Sequence, residues 1–414
     1  MLEKNTIFRL FEESKEKFDI NIILREKFKE AKKLIDYKEI LAITGVRRSG
    51  KTYFMYELMQ YLTQKVPKEN IVYLNFEDER LAFLQRDELD KIFEYYYEFS
   101  GAKGKLYFFF DEIQNVPYWE KWLSRSFEKH KFVISGSNSK LLSSELVSAI
   151  TGRYFEIRIF PFTYKETLER KYSLYKTENV GLLKRKFSEY LEYGGFPESI
   201  LYGKKDLLQE YYKSIILKDV INRHNIKYKD LIKRLSLFVA SNYSKPLSLY
   251  SLNKQYDAGI NTIKNYVNYL EESFLYIFID KFDYSLKKQQ YNPPKAYGVD
   301  VAIMDAINFK FSKDIGRKIE NIVLIELLNR KCEVFYHKDK YECDFVVKEG
   351  LDIVQAIQVC YELNDENSQR EIKGLKSAMK KYNLKEGLLI TYDTEKEIEN
   401  IKVKPVWKFL LEKI

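Results

Sequence analysis

The stretch GVRRSGKT at residues 45–52 sets the architecture of the first half of the chain. It lies between the apolar run EILAI and a segment with the pattern of a helix from Lys51 to Leu62. Its spacing fits G-x-x-x-x-G-K-[ST], which forms a phosphate-binding loop when a strand precedes it and a helix follows. The glycines allow backbone N–H groups to surround phosphate oxygens, and the helix directs its positive end at them. The sequence therefore predicts a site for ATP here.

The loop positions have separate expected roles. Lys51 reaches the β- and γ-phosphates, and the Thr52 hydroxyl ligates Mg²⁺. Arg47 and Arg48 contact either the nucleotide or a second anion, although loop side chains more often face solvent. The residues expected to bind nucleotide are Gly45, Val46, Arg47, Arg48, Ser49, Gly50, Lys51 and Thr52.

A second motif ends the apolar run LYFFF, where Asp111 and Glu112 follow. In P-loop enzymes an Asp at such a place holds Mg²⁺, and the adjoining Glu is suited to polarise the attacking water. An acidic pair after a strand is, by itself, usually a solvated turn. Its place downstream of a phosphate loop favours the catalytic interpretation, with Asp111 as a metal ligand and Glu112 as a catalytic residue.

Two further catalytic candidates follow the strand pattern FVISGS. Asn138 would place a polar side chain beside the γ-phosphate and the attacking water, next to Ser137. Arg153, in the segment GRYFEIRIF, would stabilise the charge that develops on the γ-phosphate, either within one chain or from a neighbouring subunit. The alternative is a structural arginine that pairs with a surface carboxylate.

Composition limits the class of protein. A chain of 414 residues predicts two or three domains. With 45% hydrophobic and 32% charged residues, disorder is disfavoured. The net charge of +9 allows an anionic partner, but such an excess is more often a solvated surface. Three cysteines without CxxC spacing disfavour a zinc site and disulfides, and no apolar run approaches the length of a membrane span, so we expect a cytoplasmic chain.

The fold class predicted from the first half is α/β. Helical patterns separate four strand patterns, which are EILAI, NIVYLNF, KLYFFFDE and KFVISGS. A further helical pattern, at residues 23–34, precedes EILAI. This alternation is typical of a parallel sheet with helices on both faces. Downstream, YGGFPES at residues 193–199 predicts a tight turn between helices.

Several segments together resemble one family. They are GVRRSGKT, FFFDEIQNVPYWEKWL, ISGSNSKLLSSEL, GRYFEIRIFPFTYKETL, YGGFPE and, near the C-terminus, IENIVLIELL with ECDFVV. They look like the archaeal and bacterial AAA-type P-loop ATPases that carry a winged helix and a restriction-endonuclease-like C-terminal domain. The resemblance covers essentially the whole chain and implies a cytoplasmic, Mg-dependent ATPase.

Residues 227–310 are predicted to form the winged helix-turn-helix, in the order helix, short helix, longer helix and two strands, with SLKKQQYNPPK as the loop of the wing. Glu271, Glu272 and many aromatic residues favour a protein-packing role as strongly as DNA binding, since the fold serves both uses. The possible DNA contacts are Asn261, Lys264, Asn265 and Asn268 on the longer helix and Lys287 and Lys288 in the wing.

The C-terminal segment has the element order of a PD-(D/E)xK nuclease. Glu320 lies on a predicted helix and Asp344 on a strand, but Gln358 stands where the second strand carboxylate is needed, and Cys360 stands in place of the lysine. Such enzymes need carboxylates that hold a metal and a lysine that orients water. We therefore predict a degenerate nuclease site, for which Lys373 is a remote candidate as a migrated lysine.

These observations predict four domains: an ATPase domain at residues 1–165, a helical lid-like region at 166–226, a winged helix at 227–310 and a nuclease-like domain at 311–414. The expected function is an ATP-hydrolysing switch or motor that acts with nucleic acid. Two alternatives stay open, a nucleotide-gated protein-interaction scaffold and an ATP-regulated nuclease. Whether the chain forms a homo-oligomer is also left open.

Overall fold

The computed structural model describes residues 3–139, 152–169, 179–308, 314–364 and 367–412. The chain divides into two compact units, Met1–Ile159 and Phe160–Ile414, here called unit 1 and unit 2. The part of ISGSNSKLLSSEL from residue 140 onward, and the predicted domain boundary at residues 310 and 311, lie outside the described residues. The division into four domains stays a prediction.

Unit 1 contains a five-stranded sheet in which every pairing is parallel, in the order β2-β3-β4-β1-β5. Parallel pairing puts the carboxyl ends of all the strands at one edge, where the polar residues that follow them meet. The strands are β1 (Ile40–Thr44), β2 (Ile71–Asn75), β3 (Tyr107–Asp111), β4 (Lys131–Gly136) and β5 (Tyr154–Arg158).

Helices cover both faces of this sheet. Successive residues of a strand point to opposite faces, and apolar residues on each face need to be buried. One core joins strand residues such as Val72 and Phe108 to α1, α4 and α5, and the other joins Leu41 and Phe109 to α2 and α3. The α-helices are α1 (Lys4–Lys15), α2 (Phe28–Leu34), α3 (Lys51–Leu62), α4 (Leu89–Ser100) and α5 (Trp119–Ser126), and short 3₁₀ turns span Glu16–Asp19, Lys68–Asn70, Glu79–Leu81, Arg86–Glu88 and Ile113–Asn115. The predicted α/β class, with a parallel sheet between helices, is confirmed.

Two features of unit 1 differ from the sequence-based expectation. The helix expected at residues 23–34 begins only at Phe28, since the Arg25 backbone N–H donates to the Glu57 carboxylate instead of entering a helix. The segment YFEIR forms the fifth strand, which the alternation of helices and strands did not indicate.

Unit 2 begins with helices. The YGGFPES turn separates two of them and is held by a buried carboxylate: Asp300 accepts hydrogen bonds from the backbone N–H groups of Gly195, Ala302 and Ile303 at 2.6, 2.9 and 3.1 Å. A Cβ on Gly194, whose φ is 70°, would lie 2.3 Å from an Asp300 oxygen, so only glycine fits. The helices are α6 (Tyr164–Glu169), α7 (Val180–Tyr193), α8 (Pro197–Tyr202) and α9 (Leu207–Ser214), followed by a π-helical stretch at Ile215–Asn222.

Next comes a group of helices with a small antiparallel sheet in the order β6-β8-β7. The segment expected to be the loop of a wing instead contains a short helix, α13. The elements are α10 (Lys229–Ser241), β6 (Lys245–Pro246), α11 (Leu249–Tyr256), α12 (Ile260–Glu272), β7 (Tyr276–Ile279), α13 (Leu286–Tyr291), β8 (Lys295–Gly298) and α14 (Val301–Ile307).

The last part of unit 2 contains a six-stranded mixed sheet in the order β13-β14-β12-β11-β10-β9. Apolar residues of α16, such as Leu375 and Ala378, pack on Val346 and Ala356 of the sheet. The elements are α15 (Ile315–Asn329), β9 (Glu333–Lys338), β10 (Glu342–Glu349), β11 (Asp352–Val359), α16 (Ser368–Lys381), β12 (Gly387–Thr391), β13 (Lys396–Ile398), β14 (Ile401–Pro405) and α17 (Val406–Phe409).

Candidate functional site

The loop between β1 and α3 curls around the Lys51 side chain. The Lys51 ammonium is buried and donates to the carbonyl oxygens of Gly45 and Val46 at 3.1 and 3.3 Å. Gly45 has a φ of 143°, and a Cβ there would lie 2.1 Å from the Ile159 carbonyl oxygen, so any side chain would displace the loop. The loop therefore has the glycine-dependent path that the motif predicts, and α3 begins at Lys51 with its N-terminus at the loop.

Asp111 is the last residue of β3 and accepts hydrogen bonds from three hydroxyl groups. Its carboxylate accepts hydrogen bonds from Thr52 Oγ1 at 2.6 Å, from the Tyr73 hydroxyl at 3.0 Å and from Ser135 Oγ. Burial raises the pKa of Asp111 and the Glu112 charge adds to this, whereas Ser135, Thr52 and Lys51 oppose the rise. Thr52 and Asp111 thus meet as the sequence predicts.

Tyr73 and Ser135 belong to the site but were missed by sequence reasoning. They lie on β2 and β4, the two strands that flank β3. Burial and the Asp111 charge raise the pKa of Tyr73 well above its ordinary value, so its hydroxyl stays a proton donor to Asp111. The sequence signal that could have identified them is the presence of a polar side chain in each of two largely apolar strands.

Glu112 is buried and lies directly beside Lys51. Its Oε1 is 3.4 Å from Lys51 Nζ, and its Oε2 accepts hydrogen bonds from the Ser137 N–H at 3.2 Å and from Gln114 Nε2 at 2.5 Å. Its φ of 52° is left-handed, a conformation that costs a residue other than glycine about 1–3 kcal/mol and is concentrated at functional sites. Asn138 is buried next to Ser137, after β4. The structure therefore brings the Glu112 carboxylate to the phosphate loop and to the segment that carries Asn138.

The two arginines of the loop have different surroundings. Arg47 forms an ion pair with Glu77, with Nη1 2.8 Å from Oε1. Arg48 is exposed and has a φ of 70°. Arg47 is thus turned toward a neighbouring carboxylate, and only Arg48 has the exposed placement that a loop position favours.

Arg153 does not lie at the phosphate loop. Tyr154 pairs with Ile40 at the start of β1, and the Arg153 guanidinium carbon lies 5.1 Å from the centre of the Phe127 ring. Five residues of strand separate Arg153 from the other edge of the sheet by roughly 16 Å. The structure therefore contradicts a role for Arg153 on the γ-phosphate of its own chain, and a role on that of a neighbouring subunit stays a prediction.

Two arginines that sequence reasoning missed lie closer to the loop. Arg158 is opposite Thr44, the residue that precedes the loop. Arg25 is buried and donates from Nη1 to the Ser49 carbonyl oxygen at 3.0 Å. Arg158 lies in the segment GRYFEIRIF, but the strand register places it beside the loop, and only a tertiary contact brings Arg25 there.

The predicted nuclease-type residues converge within unit 2. Asp344 Oδ2 accepts from the Val359 N–H at 3.0 Å, and the Asp344 N–H donates to Gln358 Oε1 at 3.3 Å. Glu320 and Asp344 both contact the Lys295 ammonium, at 3.4 and 3.2 Å. The structure thus brings all three predicted residues to one place, around a lysine that sequence reasoning missed.

The residues at this second place do not fit a metal of the nuclease type. Gln358 Nε2 donates to Glu371 Oε2 at 2.6 Å, burial raises the pKa of the Cys360 thiol to about 12, and Lys373 is exposed on α16. Across the residues that the structure describes, no group of three or more His, Cys, Asp and Glu side chains is arranged to hold a metal ion. The exposure of Lys373 gives no support to a migrated lysine, which stays a prediction.

A parallel sheet with a glycine-dependent phosphate loop after β1 and an Asp-Glu pair after β3 defines a P-loop nucleotide-binding ATPase domain. Comparison with protein families agrees, because residues 37–168 match an AAA domain. Residues 184–314 match a domain of unknown function. The AAA-type match thus covers most of unit 1 and the first residues of unit 2.

The uncharacterized protein MJ1544 of Methanocaldococcus jannaschii is 35% identical over 412 residues, covering 92% of this chain and 89% of that protein. An uncharacterized protein of Haemophilus influenzae is 32% identical over 411 residues, covering 94% and 99%. The chain belongs to the family of these two proteins.

Similar solved structures include Cdc6p from Pyrobaculum aerophilum, with 14% identity, a TM-score of 0.30 and coverage of 64% of this chain and 90% of that one. A TM-score of this size carries no argument about function.

Across the described residues, no helix combines the length and the apolar character needed to cross a membrane.

Proposed function

We propose that the chain is an Mg-dependent ATPase that binds ATP at the loop of residues 45–52 and hydrolyses it with the help of Glu112 and Asn138. The observation that carries the proposal is the meeting of Lys51, Thr52, Asp111 and Glu112 at one edge of the sheet. Backbone N–H groups of the loop and the N-terminus of α3 bind the phosphates, and Lys51 adds a positive charge that can leave neutral carbonyl partners for anionic phosphate.

The residues present fit a magnesium ion. The Thr52 hydroxyl and the Asp111 carboxylate are 2.6 Å apart and supply the oxygen ligands that Mg²⁺ prefers. When bound, Mg²⁺ would neutralise charge between the β- and γ-phosphates. Ser135 and Tyr73 fix the Asp111 carboxylate, which is the positioning that such a ligand needs.

Glu112 is proposed to orient the attacking water. Its carboxylate lies beside the phosphate-binding lysine and is held by the backbone of the strand-end segment that carries Asn138. Asn138 would contact the γ-phosphate or the same water from that segment. The left-handed backbone conformation of Glu112 directs its carboxylate at the loop. The contacts around Glu112 offset the conformational free energy that this backbone costs.

The replacement of Lys51, the lysine proposed to bind the phosphates, tests the ATPase assignment. Lys51→Ala is expected to weaken ATP binding and to lower turnover by about 10²–10³-fold, as removal of one preorganised charge does elsewhere. Lys129→Ala removes an equal charge from an exposed position of unit 1 and serves as the matched control. Equal turnover of both variants would contradict the proposed site.

We further propose that unit 2 acts with nucleic acid. In its favour, the elements from α10 to β8 follow the order expected for a winged helix apart from the additional helix α13, and α12 exposes a row of neutral and basic side chains. Lys287 and Lys288 are exposed on α13, where the wing was expected. The row on α12 consists of Asn261, Lys264, Asn265 and Asn268.

A protein-interaction scaffold is the second candidate, and a specific contact within the chain argues against the DNA-facing alternative. His224 stacks on Tyr269 of α12 with ring centres 3.7 Å apart, and its Nε2 lies 3.2 Å from Glu272, so one part of α12 is committed to protein packing. Glu271 is exposed beside it and would repel phosphate. These contacts oppose a wholly DNA-facing helix.

Filter binding to duplex and single-stranded DNA across a salt series separates the two candidates. The variant Lys264→Ala/Lys287→Ala/Lys288→Ala is expected to reduce affinity for all sequences and to lower the salt slope by about 1 for each phosphate that a lysine no longer neutralises. Lys385→Ala/Lys396→Ala removes exposed charge elsewhere in unit 2 and should change neither quantity by as much. Absence of salt-dependent binding at low ionic strength would leave the scaffold as the function.

A further inference from the structure

Lys295, on β8, is fully buried and surrounded by carboxylates. Its Nζ lies 2.8 Å from Glu342 Oε1, 3.2 Å from Asp344 Oδ1 and 3.4 Å from Glu320 Oε1. An ammonium buried without partners is strongly disfavoured, so these three contacts are what allow Lys295 to remain charged inside the protein. They also join the small sheet that contains β8 to the six-stranded sheet of the same unit.

The three carboxylates have further donors. The Tyr297 hydroxyl donates to Glu320 Oε1 at 2.7 Å, the Val359 N–H donates to Asp344 Oδ2 at 3.0 Å, and Lys338 lies 3.1 Å from Glu342 Oε2. A divalent cation bound by these groups would have to displace Lys295, because two positive charges cannot share the same oxygens at such distances without strong repulsion.

Gln358 is also hydrogen-bonded within the protein at both ends of its side-chain amide. Its amide oxygen, the atom able to coordinate a metal, accepts the Asp344 N–H, and its amide nitrogen donates to Glu371. The residue that replaces the nuclease carboxylate therefore stabilises the junction between β10, β11 and α16.

We propose that the Lys295 ammonium is the resident cation of the nuclease-like site. It stands where a divalent metal ion would be held between Glu320 and Asp344, and it converts a metal-dependent site into a closed ionic junction between two sheets of unit 2. The proposal concerns residues outside the ATP site, and it holds whether or not the chain hydrolyses ATP.

Mn²⁺ binding to the full-length chain without nucleotide, followed by electron paramagnetic resonance, tests the proposal. The wild type is expected to show no saturable binding that depends on Asp344. Lys295→Met is expected to bind one Mn²⁺ at least about tenfold more tightly than the wild type, which corresponds to about 1.4 kcal/mol. Lys295→Met/Asp344→Asn should lose the gain. Lys338→Met, which removes a half-exposed lysine from the outer oxygen of Glu342, is the matched control and should gain nothing.

A charge-balanced variant covers the case in which Lys295→Met does not fold. Lys295→Met/Glu342→Gln removes one positive and one negative charge, keeps Glu320 and Asp344, and is also expected to bind Mn²⁺. The proposal is overturned if the wild type binds Mn²⁺ tightly and Asp344→Asn abolishes that binding, since the carboxylates would then hold a metal with Lys295 in place. It is equally overturned if the folded lysine variants gain no Mn²⁺ site.

Discussion

Lys51 in unit 1 and Lys295 in unit 2 are both buried beside carboxylates, but their partners differ. Lys51 donates to two carbonyl oxygens of its own loop and has one carboxylate, that of Glu112, at 3.4 Å. Lys295 has three carboxylates at 2.8 to 3.4 Å. An ammonium with mainly neutral partners gains Coulomb energy when an anionic phosphate arrives, whereas one already surrounded by carboxylates does not. The first arrangement suits ligand binding and the second suits a permanent junction.

The loss of the Lys295 charge should have the largest effect on stability. Lys295→Met leaves three carboxylates without their shared cation, and breaking such a buried pair costs about 3–5 kcal/mol. Lys338→Met removes a half-exposed ion pair, for which about 0–1 kcal/mol is expected. Urea denaturation of both variants measures the difference. Equal costs for the two would mean that Lys295 is not the centre of the junction.

Asp300 sharpens the comparison, because its carboxylate accepts hydrogen bonds from three backbone amides in place of a lysine contact. Burial raises the pKa of Asp300 from its ordinary value of 3.8 to about 6, and the backbone hydrogen bonds oppose the rise. The folded state then binds a proton more tightly than the unfolded state, so the contribution of this group to stability falls as the pH rises from about 4 to about 6.

The free energy of unfolding, compared between wild type and Asp300→Asn across this pH range, checks the sign. The stability advantage of the wild type should shrink with rising pH by up to about 3 kcal/mol, the equivalent of roughly two pKa units. A difference that grows with pH would show that the backbone hydrogen bonds outweigh burial and hold the carboxylate in its charged form.

The smallest effect is expected for Arg153. Because it lies at the far edge of the sheet, Arg153→Ala should leave ATP turnover unchanged in dilute protein and lower it only at concentrations at which chains associate. Arg158→Ala, beside Thr44, should lower turnover by about tenfold at every concentration if its charge acts on the phosphates of its own chain. A concentration series of both variants measures this. A loss in Arg153→Ala at the lowest concentration would contradict the placement.

The sequence was sufficient for the parts of the fold that local signals determine. The helix Lys51–Leu62 was predicted with the bounds it has, since the glycine loop fixes its start. Asp111 and Glu112 follow β3 as predicted, because a continuous apolar run ends there. β5 was missed although YFEIR carries aromatic and β-branched residues typical of a strand, because its pairing with β1 depends on the order of strands in the sheet.

The partners within each site could not be predicted, because they come from elements far apart in sequence. Lys295 meets Glu320 and Asp344 across 25 and 49 residues. Tyr73 reaches Asp111 across 38 residues and Arg25 reaches the Ser49 carbonyl across 24. Motif spacing identifies residues that share a loop or a strand, whereas these contacts depend on sheet order and packing.

The central claim is that the carboxylate beside Lys51 serves chemistry, and Glu112→Gln tests it most directly. The amide keeps the size of the side chain and removes its charge, so ATP affinity should stay within about threefold of wild type while single-turnover hydrolysis falls by about 10²–10³-fold. Glu128→Gln, at an exposed position of unit 1, should change neither quantity. Tight ATP binding with that loss of turnover is the predicted result, and hydrolysis by Glu112→Gln at the wild-type rate would contradict the account.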